Sequence, residues 1–436
     1  MRHRPLLIAE AANPEWVSVP LVGWSHARAI MEISDGHLVT QVRNRDAILR
    51  AGLVEGRDFT AIDSEAVAKR IHQVSKLLRG KSGVSWTTST ALASLAYPYF
   101  EHLVWQKFGR RIRGGEFDVV HRITPLSPTT PSSLAAKCAR AGVPFVLGPL
   151  NGGVPWPKGF DSARRREKEW LSYVRDAYKL MPGFHSTRQN AAAILIGSSD
   201  TWRQMPRSYH HKSFYVPENA IEPSRFQKRR SRRASVPIKG VFVGRLVPYK
   251  GADMLLEAAL PLLREGRLTL DVVGDGPQMH QLRDYVTQEN LQNAVTLAGW
   301  VQHEKVQDRL IEADVLTFPS IREFGGGVAL EAMAVGVVPV VPRYGGLGEL
   351  VTEKNGFLIE MGNRREIIGR LRDTFLRLCD NPGLIDAKSD AAYQRAHQQF
   401  TWSAKARQTR DVYDWVTGQT TQRPQFAMPT PDLERP

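Results

Sequence analysis

Cysteine is nearly absent: Cys138 and Cys379 are the only two, far apart in the chain. That excludes a disulfide framework and a cysteine-rich metal site, and the pair reads as two buried thiols in a reducing, cytoplasmic setting. Long apolar runs are missing too. The nearest approach to one, Val328 to Val341, is broken by Glu331, so no membrane-spanning helix is expected. After Arg2, His3 and Arg4, the apolar stretch Leu6 to Ala9 ends at Glu10, too short for the core of a signal peptide. The chain has no phosphate-binding P-loop, no HExxH and no CxxC. It also lacks any Asp-x-Asp triplet, so no carboxylate pair holds a metal on a diphosphate, and no metal is expected.

What is present is an ordinary globular composition. At 436 residues the chain has room for two or three domains, and 42% apolar with 24% charged residues argues against disorder. The charge is uneven. Residues 1–235 hold 36 Lys and Arg against 19 Asp and Glu, a net +17, whereas residues 236–436 hold 23 against 25, a net −2. Such an imbalance speaks to partners rather than to fold: nucleic acid, an anionic membrane or a phosphorylated ligand. Nucleic acid is the weakest of these. No recognised binding motif is present, and the cations are not interleaved with a regular aromatic platform.

Apolar strands bounded by Gly and Pro (Leu6–Ala9, Phe117–Val120, Pro144–Gly148 and Ala191–Ile196) predict a parallel sheet in the first half. The run containing Pro14, Pro20 and Gly23 reads as a long loop, followed by a helix from an N-cap at Ser25 through Ile30. From Gly240 to Pro342 strand and helix alternate strictly, which predicts a second, doubly wound sheet with ligands beyond the carboxyl ends of its strands. The fold class expected is therefore α/β with two Rossmann-like domains. The first covers residues 1–215 and is completed by a C-terminal helix at 400–416; the second covers residues 216–399. Between them, Glu222 to Pro237 with its Arg229-Arg230-Ser231-Arg232-Arg233 run reads as a solvated linker, with a dedicated anion site as the alternative. Residues 417–436, rich in Gln, Thr and Pro, read as a disordered tail.

Three strand-to-helix turns in the second half could carry chemistry. Gly244-Arg245-Leu246-Val247-Pro248-Tyr249-Lys250-Gly251 places two cations where a helix begins, and a helix N-terminus already favours anions. That makes a phosphate or diphosphate site. In Glu323-Phe324-Gly325-Gly326-Gly327, followed by Val328-Ala329-Leu330-Glu331, three glycines let backbone N–H groups approach a ligand closely. Glu331 is expected in the first turn of the next helix. Carboxylates beside a phosphate site suit sugar hydroxyls rather than phosphate, although Glu331 could simply stabilise its own helix. Tyr344-Gly345-Gly346-Leu347-Gly348-Glu349 is a weaker signal. Gly274-Asp275-Gly276-Pro277 reads as a tight turn, because Met279 stands where a dinucleotide fingerprint wants its third glycine.

These residues resemble the donor domain of family 4 retaining glycosyltransferases, whose fold, GT-B, is two Rossmann domains facing each other across a cleft. The matching elements are Val243-Gly244-Arg245-Leu246 with Lys250-Gly251, Gly274-Asp275-Gly276-Pro277, and Glu323 separated by seven residues from Glu331-Ala332-Met333-Ala334. Pro339-Val340-Val341, Gly345-Gly346 with Glu349, and Asn355-Gly356 follow in family order, over about residues 215–375. Phe117-Asp118-Val119-Val120-His121 and Pro217-Glu218-Asn219-Ala220-Ile221 match family patterns more loosely. The resemblance implies that Arg245 and Lys250 bind a donor diphosphate and that Glu331 accepts from the ribose. It implies that Glu323 with the backbone of Gly325, Gly326 and Gly327 holds the sugar and distal phosphate, and that His121 faces the sugar across the cleft. Gly244 belongs to the same donor site. The family's Gly-Gly pair in the first turn is missing, and Gly23-Trp24 is the only candidate for it.

The implied activity is transfer of a sugar from a nucleoside-diphosphate sugar to a hydroxyl acceptor (glycan, glycolipid or lipid-linked sugar) in envelope polysaccharide, lipopolysaccharide or glycolipid synthesis. Configuration is retained and no cofactor or metal is used. A nucleotide-sugar epimerase of the same fold is the rival, and a basic nucleic-acid-binding protein a remote one. The segment Ser162 to Val174, with Arg164, Arg165 and Arg166 ahead of Trp170, Leu171, Tyr173 and Val174, reads either as an ordinary surface helix or as a helix lying on an anionic membrane. The second reading would make the protein peripheral on the cytoplasmic face.

Overall fold

A computed structural model describes residues 2–65, 86–157, 159–160 and 182–427; of residues 86–95 and 182 it describes the backbone alone. The segment Ser162 to Val174 lies outside the described residues. Among the described residues, the N-terminal lobe is built on β1 (Pro5–Ala9), β2 (His37–Gln41), β3 (Phe59–Ile62), β4 (Val119–Thr124), β5 (Phe145–Leu150), β6 (Ala193–Ile196) and β7 (Ser213–Tyr215). They lie parallel in the order β3-β2-β1-β4-β5-β6-β7. The C-terminal lobe is built on β8 (Ile238–Val243), β9 (Leu268–Val273), β10 (Val295–Gly299), β11 (Val315–Thr317), β12 (Val338–Pro342) and β13 (Phe357–Ile359). These are parallel too, in the order β10-β9-β8-β11-β12-β13. Each sheet reverses its order once, between β1 and β4 and between β8 and β11. Crevices at the carboxyl ends of strands at such points are where α/β sheets hold ligands. The two Rossmann-like lobes give the GT-B architecture.

Side chains alternate across a strand, and that sorts the core of the first lobe into two layers. Leu6 and Ile8 of β1 join Val120, Phe145, Leu147, Ile194 and Ile196 on one face. Leu7 and Ala9 join Val119, Ile123, Val146, Ala193 and Leu195 on the other. The second face is closed by the helix Trp402–Val416, whose Trp402, Ala406, Val412 and Tyr413 enter the same layer. The chain thus returns to the first lobe after leaving the second. Cys138 and Cys379 are both buried and free, and burial pushes the Cys138 thiol up to about 12.

Three expectations are corrected. The loop expected around Pro20 is helical: the first-lobe helix runs Val19–Ile33, because proline fits the first turn of a helix, where its missing N–H costs nothing. The linker is only partly solvated: Arg229 and Arg233 are exposed, whereas Arg230 and Arg232 are not. Arg230 is buried and donates to Asp314 (2.9 Å) and Asp386 (3.2 Å), and Arg232 donates to the other oxygen of Asp314 (3.1 Å). With Lys228 on Asp308, they strap the segment to the second lobe. The tail expectation fails over residues 417–427. Arg423 donates to the carbonyls of Ser213 (2.7 Å) and His211 (2.8 Å) and lies over the Phe214 ring, with Phe426 beside it.

Candidate functional site

A cleft of about 630 Å³ opens between the lobes, at the carboxyl ends of β1, β8 and β11. From the first lobe it is lined by Pro14, Val17 and Ser18 and by one side of the helix Val19–Ile33. From the second it is lined by Gly244, Lys250, Glu323, Gly327 and Glu331. Residues up to 87 positions apart in sequence therefore meet at one wall because β8 and β11 are neighbours in the sheet.

Lys250 and Glu323 form an ion pair, both side chains mostly buried, with the ammonium 5.0 Å from the centre of the Phe318 ring. An ammonium has three donors, so the pair leaves Lys250 able to bind an anion as well. Next comes the glycine turn. Gly326 takes a left-handed conformation (φ 59°) as N-cap of the helix Gly327–Ala334. A Cβ on Gly325 would sit 2.0 Å from Nδ2 of Asn219, so the Asn219 side chain packs directly against this glycine. The first two N–H groups of that helix, those of Gly327 and Val328, have no carbonyl ahead of them in the helix to donate to, and both residues line the cleft. Glu331 is the fifth residue of the helix, one turn further in than expected, because the helix starts at Gly327. Its carboxylate accepts from Nε2 of His303 (2.8 Å), and Nδ1 of His303 accepts from Arg225 (2.7 Å). Sequence reasoning missed both residues. No motif marks them, and they come from the linker and from the first residue of the helix His303–Ile311.

The structure does not bring every expected residue to the cleft. Arg245 is exposed on its turn and does not line the cleft. Gly23 is a packing glycine inside the helix Val19–Ile33: a Cβ there would lie 2.1 Å from the carbonyl oxygen of Ala11. The residue with a left-handed φ at the start of that helix is Ser18 (φ 65°), and it does line the cleft. Gly274 (φ 143°) and Gly276 frame a tight turn, where Gly276 donates to the side chain of Asp275 (2.7 Å).

His121 is the clearest correction. Its strand runs on to Thr124, so it lies mid-strand rather than at the strand end, on the face covered by the helix Trp402–Val416. It is fully buried, with Nε2 on the carbonyl of Gly148 (2.6 Å) and Nδ1 on the hydroxyl of Tyr413 (2.6 Å). Because a carbonyl only accepts, Nε2 carries the proton and Tyr413 donates to Nδ1. Burial pushes its pKa down to about 4, from 6.5. The unfolded chain then binds this proton from about pH 6.5 downward while the folded chain does not until about pH 4. Stability should fall across that window as pH drops, by roughly 3 kcal/mol for this group. Urea melts at pH 7 and pH 4.5 should show a shallower decline in His121→Phe than in the wild type; equal declines would assign the acid sensitivity elsewhere.

The weak third turn turns out to join the lobes. The Glu349 carboxylate, buried, accepts from the backbone N–H of Ser199 (2.7 Å) and from the Tyr215 hydroxyl (2.7 Å), both of the first lobe, and burial pushes its pKa up. Arg322 donates to the carbonyl of Val154 (3.1 Å) across the same boundary, and Tyr344 to that of Pro155 (3.0 Å).

Residues 237–375 match the family described as glycosyl transferases group 1. By that match residues 237–375, the core of the second lobe, form a group 1 glycosyltransferase domain. It is 33% identical over 200 residues to a glycogen synthase of Mycobacterium tuberculosis, covering 45% of this chain and 47% of that protein. The chain thus spans about half the length of that curated relative. It is 26% identical over 310 residues to the putative colanic acid biosynthesis glycosyltransferase WcaL of Salmonella typhimurium, covering 65% and 74%. Two solved structures share the fold of this chain across nearly its whole length. Sucrose-phosphate synthase of Thermosynechococcus elongatus superposes with a TM-score of 0.62 at 15% identity, over 96% of this chain and all of that one. Anabaena HepE in complex with UDP gives 0.59 at 16% identity, over 94% and 98%.

Proposed function

We propose that the protein transfers a sugar, with retention of configuration, from a nucleoside-diphosphate sugar to a hydroxyl acceptor. The observation that carries this is the meeting of Lys250, Glu323, Glu331 and the open end of the helix Gly327–Ala334 on one wall of the interlobe cleft. As the bond from sugar C1 to the phosphate oxygen lengthens, negative charge grows on the diphosphate. A fixed cation and helix N–H dipoles stabilise that charge without having to reorganise. Lys250 does so in the cleft. Glu323 holds sugar hydroxyls and orients Lys250, and Glu331 accepts from the ribose. The acceptor oxygen bonds to C1 on the face the diphosphate leaves, and its proton passes to the departing phosphate oxygen. No side-chain base is then required. The likeness to WcaL supports an acceptor in envelope polysaccharide synthesis, and the net +17 of residues 1–235 suits an anionic membrane surface at the cytoplasmic face.

The test is incubation with a panel of nucleotide sugars, with and without hydroxyl acceptors, analysing the sugar products. Transfer that needs an acceptor supports the reading. Release or isomerisation of the sugar without one would replace it with an epimerase. Metal independence is the companion prediction. No group of three His, Cys, Asp or Glu among the described residues could hold a metal, and Lys250 with the helix end supplies the positive charge. Transfer should persist in EDTA at better than half its rate; loss in EDTA and recovery with manganese or magnesium would show the charge compensation misassigned.

A further inference from the structure

The linker reaches into the cleft at one point. Arg225 sits in the short turn Pro223–Arg225, just after Ile221, which bridges to Thr401 where the chain crosses back to the first lobe. Its Nη2 lies 2.7 Å from Nδ1 of His303, and Nε2 of His303 lies 2.8 Å from Oε1 of Glu331. All three line the cleft. A guanidinium has donors and no acceptor, so Nδ1 of His303 must accept. The ring proton is therefore on Nε2, and His303 donates it to Glu331. One tautomer is fixed by one arginine.

We infer that Arg225 and His303 are positioning residues, which set how the Glu331 carboxylate meets the ribose of the donor. This rests on the donor-site reading of Glu331 given above. The glutamate is unbranched, with several rotatable bonds, and lies on a helix one turn from its open end. Left alone, it would lose freedom only when ribose arrives. Held at Oε1 by His303, it presents Oε2 already oriented, and the ordering cost is removed before the ligand binds. The hydrogen bond through His303 also ties that orientation to the interlobe linker, because Arg225 belongs to neither sheet.

The experiment measures affinity for ribose and deoxyribose forms of one ligand. Whichever of ADP, GDP or UDP binds the wild type most tightly is titrated by calorimetry beside its 2′-deoxy counterpart. A hydrogen bond to a charged group is worth about a tenfold preference for the ribose form. In His303→Ala that ratio should fall to about twofold, while His303→Gln should keep most of it, since an amide can accept from Arg225 and donate to Glu331. Arg225→Met should fall in between. A merely structural loss would weaken both ligands equally and leave the ratio alone. Glu331→Gln separates the two readings. If it collapses the ratio and His303→Ala does not, the positioning role is overturned and the donor site stands. If the wild type shows no preference, or Glu331→Gln leaves the preference intact, the ribose assignment of Glu331 fails and takes this inference with it.

Discussion

Lys250→Met should lower transfer by about a hundredfold to a thousandfold with the circular dichroism spectrum unchanged. Removing one preorganised donor from a developing oxyanion costs about that much in other enzymes, and Lys250 is the cation that this structure places beside Glu323 in the cleft. Methionine is the informative substitution, because it keeps the contact with the Phe318 ring and leaves no gap beside Glu323. It does leave the Glu323 carboxylate without its ion pair. Glu323→Gln, measured beside it, reports what changing the carboxylate alone costs: a loss in Lys250→Met that exceeds it belongs to the ammonium itself. Lys250→Arg should recover part of the rate, since the charge returns in a different shape. Near wild-type turnover in a folded Lys250→Met protein would remove the donor-site reading.

The contrast between Lys250 and His121 shows what kind of information the sequence held. The second lobe was legible because its site is built from turns: glycines after β8 and β11 are needed for close approach and left-handed backbone, and those needs are written in residue type. Glu323, Gly325 to Gly327 and Glu331 are also near neighbours in the chain, so one short stretch carries most of a wall. The first lobe offers no such record. Whether His121 ends β4 or sits within it depends on where the strand stops, and Arg122, Ile123 and Thr124 give no sign of stopping it earlier. Three residues of extra strand turn a cleft histidine into a core one. Ser18 adopts a left-handed φ that its residue type does not advertise. His303 and Arg225 are 78 positions apart, and only the packing of the linker across the end of the second sheet brings them together. The charged linker misled for a related reason. A run of arginines reads as solvated until its acids are known, and those lie about 80 and 156 positions away.

That linker carries the largest stability effect expected. Asp314, fully buried just ahead of β11, accepts from Arg230 (2.9 Å), from Arg232 (3.1 Å) and from the backbone N–H of Lys239 at the start of β8 (2.9 Å). Asp314→Ala removes all three hydrogen bonds at once and leaves the Arg230 guanidinium buried, with half-buried Asp386 to compensate it. Breaking one side of a buried ion pair costs about 3–5 kcal/mol, a large share of the roughly 5–15 kcal/mol that holds a typical domain folded. The loss should appear as an earlier urea transition of the full chain. The buried charge, rather than the lost contacts, should dominate. Asp314→Ala/Arg230→Met ought therefore to regain a good part of the stability, because an apolar side chain of similar length needs no counter-ion. Asp314 lies at the opposite end of the sheet from the cleft, so nucleoside-diphosphate affinity of the folded protein should stay as it was. A loss below about 1 kcal/mol in Asp314→Ala, or no recovery in the double variant, would show that the linker is held by its backbone contacts and not by this ion pair.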